Sequence, residues 1–164
     1  MAYNYGEPLE DLTGLTEFAG RDSVDLLARM VYSESGNQTE KGKRGCAHVA
    51  KNRKAKNQTQ FGGATYEGVI LKQYQFAGMT TEHARKPDLT SDAWKDSLAV
   101  ASTMSTNVNP IGGCLWFNTN TLYKNRIKTE NSKEYYTFNG GTTYTEVTEK
   151  VVIGDHTFFN LSGY

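Results

Sequence analysis

A glutamate stands at the end of an apolar stripe in the segment "MVYSESGN", residues 30–37. Glu34 follows Leu27 and Val31 at the spacing that places residues on one face of a helix. Burial on that face and the negative end of the helix dipole would both raise the pKa of the carboxyl group. Because a glutamic acid that keeps its proton near neutral pH can donate it to a substrate, this position is a candidate general acid.

Two purely structural roles for Glu34 need no chemistry, and the sequence leaves both open. The helix can fray so that the side chain points outward, or the carboxylate can form an ion pair with one of three arginines: Arg29, Arg44 and Arg53.

Three helices are predicted to position this residue. The first begins at Asp22 or Ser23, both good capping residues, and runs to about Ser35, with Leu26 and Met30 widening its stripe. The second covers 39–55, where small residues and Arg53 share one face. A third begins at the cap Ser91 and buries four residues: Trp94, Leu98, Ala101 and Met104. Composition predicts loops over 56–68 and 80–88 and leaves 69–79 open.

After residue 113 the pattern changes to β-strand. Strands are predicted over 114–118, 142–148 and 151–159, and Gly154-Asp155 is a two-residue hairpin signal. Helices followed by strands indicate an α+β fold. We predict an N-terminal arm over 1–20 and one catalytic domain over 21–164.

The overall composition argues against some classes of binding partner. Eighteen Lys and Arg balance eighteen Asp and Glu, which argues against nucleic acid as a ligand. No apolar stretch approaches the roughly 20 residues that span a bilayer, so no membrane insertion is expected. The first residues have neither a basic nor an apolar leader region, and we therefore expect no signal peptide in this chain. Cys46 and Cys114 lie in unrelated segments and are expected to be buried free thiols.

Five segments in order give the sequence a family resemblance. "LLARMVYSES" resembles the opening motif of the SleB/CwlJ-type bacterial cell wall hydrolases, the spore cortex-lytic enzyme family, in which that motif ends in the catalytic glutamate. "CAHVAKNR" (46–53) and "GVILKQYQFAGM" (68–79) are similar to its next two motifs. "GGCLWFN" (112–118) and "IGDHTFFN" (153–160) resemble its C-terminal pieces.

The resemblance implies a lysozyme-like α+β domain, with N-terminal helices packed against a small antiparallel sheet or hairpin near the C-terminus. It also implies a peptidoglycan lytic transglycosylase that cleaves the β-1,4 bond between N-acetylmuramic acid (MurNAc) and N-acetylglucosamine (GlcNAc). In this reaction Glu34 is the one acid and base, and the products carry 1,6-anhydromuramic ends. Two other carboxylates, Glu40 and Asp155, are accounted for by a helix cap and a hairpin turn.

Further residues are predicted to contact the glycan, each with a structural alternative. Arg53 and Gln75 bring a planar cation and an amide, while Phe76 and Phe117 bring rings that also suit the core. Polar side chains inside β-rich or loop segments complete the set: Gln38, Asn118 and His156.

The chain departs from the family pattern in two places. The usual Ala-Arg-Gly-Glu after the catalytic glutamate reads "SGNQ" here, and Tyr74 stands where the family tends to have Gly or Pro. Two alternative functions therefore stay open: a hydrolysing muramidase, and a non-catalytic glycan-binding or spore coat protein.

The expected partner is the glycan strand of peptidoglycan, with no cofactor and no metal, and a spore-coat or other protein partner is left open. The expected location is the bacterial spore or cell wall. The route there is open between assembly from the mother cell, phage release and a truncated chain, and so is the choice between spore cortex and vegetative wall.

Overall fold

Helix α1, Ser23–Ser35, is at the centre of the computed structural model, which describes residues 2–10 and 15–164. Asp22 caps this helix, because its side chain accepts a hydrogen bond from the Val24 N–H at 2.8 Å. Every residue from Asp25 to Val31 is buried, charged side chains included. The apolar stripe predicted from the sequence is therefore one side of a helix that is packed on all sides.

Within the described residues, five further helices surround or follow α1. Two long ones were predicted, and both are confirmed with bounds within a residue or two: α2, Glu40–Lys56, and α5, Asp92–Ser102. The others are short: α3, Tyr66–Ile70, α4, Glu82–Arg85, and α6, Asn120–Asn125. Single 3₁₀ turns cover Thr16–Phe18, Thr59–Phe61 and Ala77–Thr80.

The prediction of loops over 56–68 and 80–88 was wrong in part. The first holds a 3₁₀ turn and the start of α3, and the second holds α4. Helix α3 forms because the Thr65 hydroxyl accepts a hydrogen bond from the Gly68 N–H at 3.0 Å, which caps a helix too short to show a period.

A five-stranded antiparallel sheet makes up the C-terminal part, in the order β1-β5-β4-β3-β2. Its strands are Trp116–Thr119, Ile127–Glu130, Lys133–Tyr136, Thr145–Ile153 and His156–Leu161. The predicted β4–β5 hairpin is confirmed: Ile153 pairs with His156, and Gly154 has the positive φ of 55° that its turn needs. Helices followed by an antiparallel sheet confirm the α+β class.

The segment between β1 and β4 is more regular than its polar composition predicts. Thr119 caps α6 through a hydrogen bond from Leu122 N–H at 3.2 Å. Asn131 and Ser132, with φ of 52° and 64°, then form the turn between β2 and β3. A turn with two positive φ values usually contains glycine, so this hairpin gave no clear signal in the sequence.

Strand β5 separates two apolar clusters. Phe158 faces the main core of the helices, where it packs against Gly45 so closely that a Cβ there would lie 2.7 Å from the ring. Phe159 and Leu161 face a second cluster with Tyr123 and Tyr136 on the other side of the sheet. All residues of β5 are buried because this strand is covered on both faces.

The N-terminal segment packs on α1. The Gly6 N–H donates to the buried Asp25 carboxylate at 2.7 Å, and the Glu7 carbonyl accepts from Arg29 at 2.5 Å. Phe18 is fully buried in the main core. The boundary at residue 20 stays a prediction, and the part of the arm over 11–14 lies outside the described residues.

Both cysteines are buried and free, as predicted. Burial raises the pKa of the Cys46 thiol to about 12, and burial does the same for Cys114.

Candidate active site

Glu34 lies in the last turn of α1, half-buried, at the edge of the helical core. Its Oε1 accepts a hydrogen bond from the backbone N–H of Gly78 at 2.9 Å, which fixes one carboxyl oxygen. Burial raises the pKa of the carboxyl group, and the Gly78 hydrogen bond and the positive charge of Arg53 oppose that rise. The direction of the shift agrees with the expectation from the sequence and leaves Glu34 suited to hold a proton.

Gly78 reaches Glu34 because it has no side chain. A Cβ at this position would lie 2.5 Å from the Oγ and 3.1 Å from the carbonyl carbon of Ser33. The close approach of the 3₁₀ turn to α1 therefore requires glycine, and it delivers the N–H to the carboxylate one residue further along the helix.

Replacing Gly78 by Ala is expected to destabilise the fold by about 1–3 kcal/mol and to displace the N–H from Glu34. Urea unfolding monitored by circular dichroism, together with a glycan-cleavage assay, measures both effects. The matched control is the double variant Gly78→Ala/Ser33→Ala, which removes the Oγ in the way and should recover part of the stability. A single variant as stable and as active as wild type would contradict the requirement for glycine.

Arg53 connects Glu34 to a neighbouring groove. It is 3 % exposed, its Nε donates to the Leu115 carbonyl at 2.7 Å, and its Nη1 donates to Gln75 Oε1 at 3.1 Å. The guanidinium lies over two rings, 5.1 Å from the centroid of Phe61 and 5.0 Å from that of Phe76. Burial lowers its pKa to about 10, so the side chain remains a cation at neutral pH.

We call the cavity beyond Arg53 the aromatic groove. It encloses about 420 Å³, and ring and amide side chains dominate its lining: Arg53, Gln60, Phe61, Tyr74, Gln75, Trp116, Phe117, Asn118, Arg126, Tyr136, Phe138, Phe159 and Tyr164. Trp116 is the centre of the ring cluster, with centroid distances of 5.5 Å to Phe61, 5.7 Å to Phe138 and 5.0 Å to Tyr164. Flat rings beside amide and guanidinium donors are a suitable surface for a sugar.

A second cavity, which we call the Glu34 pocket, has a volume of about 350 Å³. The residues that line it come from α1, the loop after it, α4 and α5: Tyr32, Ser33, Glu34, Gly36, Asn37, His83 and Ala93. Tyr32 is fixed there by an edge contact with Trp94, at a centroid distance of 5.8 Å. Arg53 and Gln75 line the aromatic groove, whereas Glu34 lines this pocket, and the charge of Arg53 acts on Glu34.

Three of the predicted contact residues are engaged by the protein itself. Gln38 binds the β4–β5 turn through two hydrogen bonds, both of 3.0 Å. Its Nε2 donates to the Asp155 carboxylate, and its Oε1 accepts from the Asp155 N–H. Asn118 donates to the Tyr136 hydroxyl at the wall of the aromatic groove. His156 is buried against Phe117, at a ring distance of 5.2 Å, and its Nδ1 has no hydrogen-bond partner among the described residues.

The other predicted residues lie close together. Gln75 is held by Arg53 and lines the aromatic groove. Phe76 is buried beside Arg53, and its ring centroid lies 6.4 Å from that of Phe117. Phe117 packs on the main core and reaches the groove with part of its ring. The structure thus brings Glu34, Arg53, Gln75, Phe76 and Phe117 to one place, and their roles toward a substrate stay predictions.

The largest part of the groove was not singled out from the sequence. Trp116 and Phe117 are neighbouring rings that a strand directs to opposite faces, and the sequence alone does not decide which of them faces the groove. Arg126, Phe138 and Tyr164 stand in segments without a motif. The one available signal was the number of rings, ten Tyr and seven Phe, which ordinary packing also explains.

Two features of the described chain concern other classes of site. No helix there has both the length and the apolar composition needed to cross a membrane. Among residues 2–10 and 15–164, no group of three or more His, Cys, Asp or Glu side chains is arranged to hold a metal ion.

Comparison with known proteins finds a family model that most of the chain matches. The family model described as Cell Wall Hydrolase matches residues 37–159, which is most of the sequence and includes the lining of the aromatic groove except Tyr164. The match begins at Asn37, just after Glu34, so the glutamate itself lies outside it. No curated protein and no solved structure matches the chain.

Proposed function

Because the chain belongs to the cell wall hydrolase family, of the SleB/CwlJ type, we propose that it is a peptidoglycan lytic transglycosylase with Glu34 as its acid and base. Cell wall hydrolysis follows from the family. The reaction type and the residue are our proposal. The observation that carries it is a half-buried carboxyl group with a raised pKa, held by Gly78 at the wall of a pocket and close to the charge of Arg53.

In the proposed reaction Glu34 gives its proton to the oxygen that links C1 of MurNAc to C4 of GlcNAc. The C1–O bond breaks, GlcNAc leaves as an alcohol, and positive charge develops at C1 of MurNAc. The carboxylate then takes the proton of the C6 hydroxyl, whose oxygen forms a bond to C1 and closes the 1,6-anhydro ring. One carboxyl group performs both proton transfers, so protons balance without a second catalytic acid.

The geometry supports this role in two ways. The Glu34 pocket and the aromatic groove, which Arg53 lines, offer space for sugar residues of the glycan strand. Arg53, fixed by Leu115 and Gln75, places a cation near Glu34 that stabilises the carboxylate once the proton has left. The two other carboxylates considered are engaged elsewhere, since Glu40 is paired with Arg44 at 3.7 Å and Asp155 is bound by Gln38.

The proposed substrate is the glycan strand of spore cortex or vegetative cell wall, and the proposed location is the spore or wall. The aromatic groove contributes two cations, Arg53 and Arg126, and its described lining contains no carboxylate. This charge suits the free carboxylates of the peptide stems of peptidoglycan.

Product analysis tests the proposal. Purified cortex and vegetative peptidoglycan are digested, and the soluble fragments are identified by mass spectrometry. Anhydromuramic ends are expected. Reducing muramic ends would instead identify a muramidase that uses water, and binding without any fragment would identify a non-catalytic glycan-binding or coat protein.

The pH dependence of cleavage in variants of Arg53 gives a second test of the proposal. Activity should fall as pH rises through the raised pKa of Glu34, because the acid must be protonated for the first step. The Arg53 charge lowers that pKa, so Arg53→Met should raise it and shift the alkaline limb of kcat/KM to higher pH. Arg53→Lys keeps the charge and is the control. An alkaline limb that stays in place or moves to lower pH in Arg53→Met would contradict the role of Arg53.

A further inference from the structure

Tyr74 combines two unfavourable features in one residue. Its φ is 68°, in the left-handed region that L side chains rarely adopt, and its side chain is 91 % exposed. No hydrogen bond or ring contact joins the Tyr74 side chain to another residue of the described chain. A strained backbone that displays a ring to solvent gains nothing within the fold, and such strain is concentrated at functional sites.

The strain comes from a tight turn. The Gln75 N–H donates to the Lys72 carbonyl at 3.2 Å, which makes Tyr74 the third residue of a four-residue turn. A positive φ at that position is typical of a type II turn, where glycine or asparagine is the usual residue. Tyrosine therefore replaces the residue that the backbone favours.

The turn places Tyr74 at the aromatic groove. Tyr74 lines the mouth of the aromatic groove, and the next residue, Gln75, lines the same groove while holding Arg53. On its other side Tyr74 borders an apolar cavity of about 760 Å³ with Leu71 and Phe76. The ring thus extends the surface formed by Trp116 and Phe61 toward solvent, on a backbone that the turn fixes.

We propose that Tyr74 binds the glycan directly, by stacking its ring on the face of a sugar ring at the mouth of the aromatic groove. This inference rests on the proposed function and adds to it a residue that determines affinity for longer glycan chains. A pyranose presents a face of C–H groups, and a flat aromatic ring removes that apolar face from water. Because the turn fixes the backbone of Tyr74, binding has to order only the two torsions of its side chain.

Binding is best measured where cleavage cannot interfere, in the Glu34→Gln background, by cosedimentation with insoluble peptidoglycan. Tyr74→Asn removes the ring and suits the positive φ, whereas Tyr74→Phe keeps the ring. We expect Tyr74→Asn to weaken binding about tenfold and Tyr74→Phe to bind within about twofold of its parent. With Glu34 intact, Tyr74→Asn should raise KM and leave kcat nearly unchanged, because stacking holds substrate and transition state alike.

The Tm of Tyr74→Asn distinguishes a loss of glycan binding from a loss of folding. Tyr74→Asn relieves strain, so its Tm should equal or exceed that of its parent while its affinity falls. Tyr144→Asn is the matched control, because Tyr144 is 37 % exposed and lies outside the aromatic groove, and its affinity should not change.

Unchanged affinity and KM in Tyr74→Asn would overturn the inference. If the wild type cleaves glycan while Tyr74→Asn behaves like it, the inference fails alone. If no variant cleaves glycan but Tyr74→Asn still loses binding, the proposed catalysis fails and the stacking role stands.

Discussion

Glu34→Gln is expected to lower kcat/KM on peptidoglycan by about 10³-fold, with glycan binding retained. Glutamine has nearly the same shape, and its carbonyl oxygen can still accept the Gly78 hydrogen bond. It has no proton to give to the glycosidic oxygen and cannot take one from the C6 hydroxyl. Release of soluble fragments over time, followed by mass spectrometry, measures the loss.

The stability of Glu34→Gln distinguishes a loss of catalysis from a loss of folding. Burial raises the pKa of Glu34 in the folded state, so the folded protein binds this proton more tightly than the unfolded chain does. Stability from this group therefore falls as pH rises from the unfolded value through the raised folded value. Above that range Glu34→Gln should be at least as stable as wild type in urea unfolding. A variant that keeps more than about a tenth of the activity would remove Glu34 from its proposed role.

Arg29→Met is expected to destabilise the protein by about 3–5 kcal/mol, the largest stability effect that we predict. Arg29 is fully buried, and its Nε donates to the Asp25 carboxylate at 2.7 Å. Its other nitrogens donate to three backbone carbonyls, those of Glu7, Ala84 and Arg85. One side chain therefore connects the N-terminal segment, α1 and the end of α4. Methionine would remove the Arg29 donor from all three carbonyls, of which that of Arg85 keeps the Leu9 N–H at 3.0 Å.

Thermal unfolding measures this effect, and Tm should fall by about 10 °C. The surface pair of Lys86 with Glu10, joined at 2.9 Å, gives the matched control, because Lys86→Met should change stability by less than about 1 kcal/mol. The double variant Asp25→Leu/Arg29→Met should lose less than the sum of the single variants, since Asp25→Leu alone leaves the buried Arg29 cation without this carboxylate. In Arg29→Met the Asp25 carboxylate keeps its ion pair with Arg21, at 2.6 Å. Strictly additive losses would show that the two residues stabilise the fold independently.

Periodicity and caps predicted the elements that carry the proposed catalysis. Asp22 and Ser91 begin their helices as expected, and the stripe of Leu27 and Val31 leads to a Glu34 that is half-buried. These features are local, because a cap or a stripe is decided by residues within a few positions of each other. The Gly154 turn was predictable for the same reason.

The rest depends on contacts between distant residues. Trp116 pairs with Phe159 and Phe117 with Phe158, and this register decides which ring faces the groove and which faces the helices. The hydrogen bond from Gly78 to Glu34 joins residues 44 positions apart. The left-handed backbone of Tyr74 contradicts its residue type, so no local rule would have found it.

Strand β2 is one of the two edge strands of the sheet, and its side chains disfavour pairing with another copy of the protein. A strand at the border of a sheet leaves backbone donors and acceptors open to strands of other molecules, which is a route to aggregation. The last three residues of β2, Lys128, Thr129 and Glu130, are exposed, and the two charged ones form an ion pair at 3.2 Å. A second copy adding its strand there would have to bury both charges. We therefore expect the β2 edge of the sheet to resist association with other copies, even where many copies are held close together.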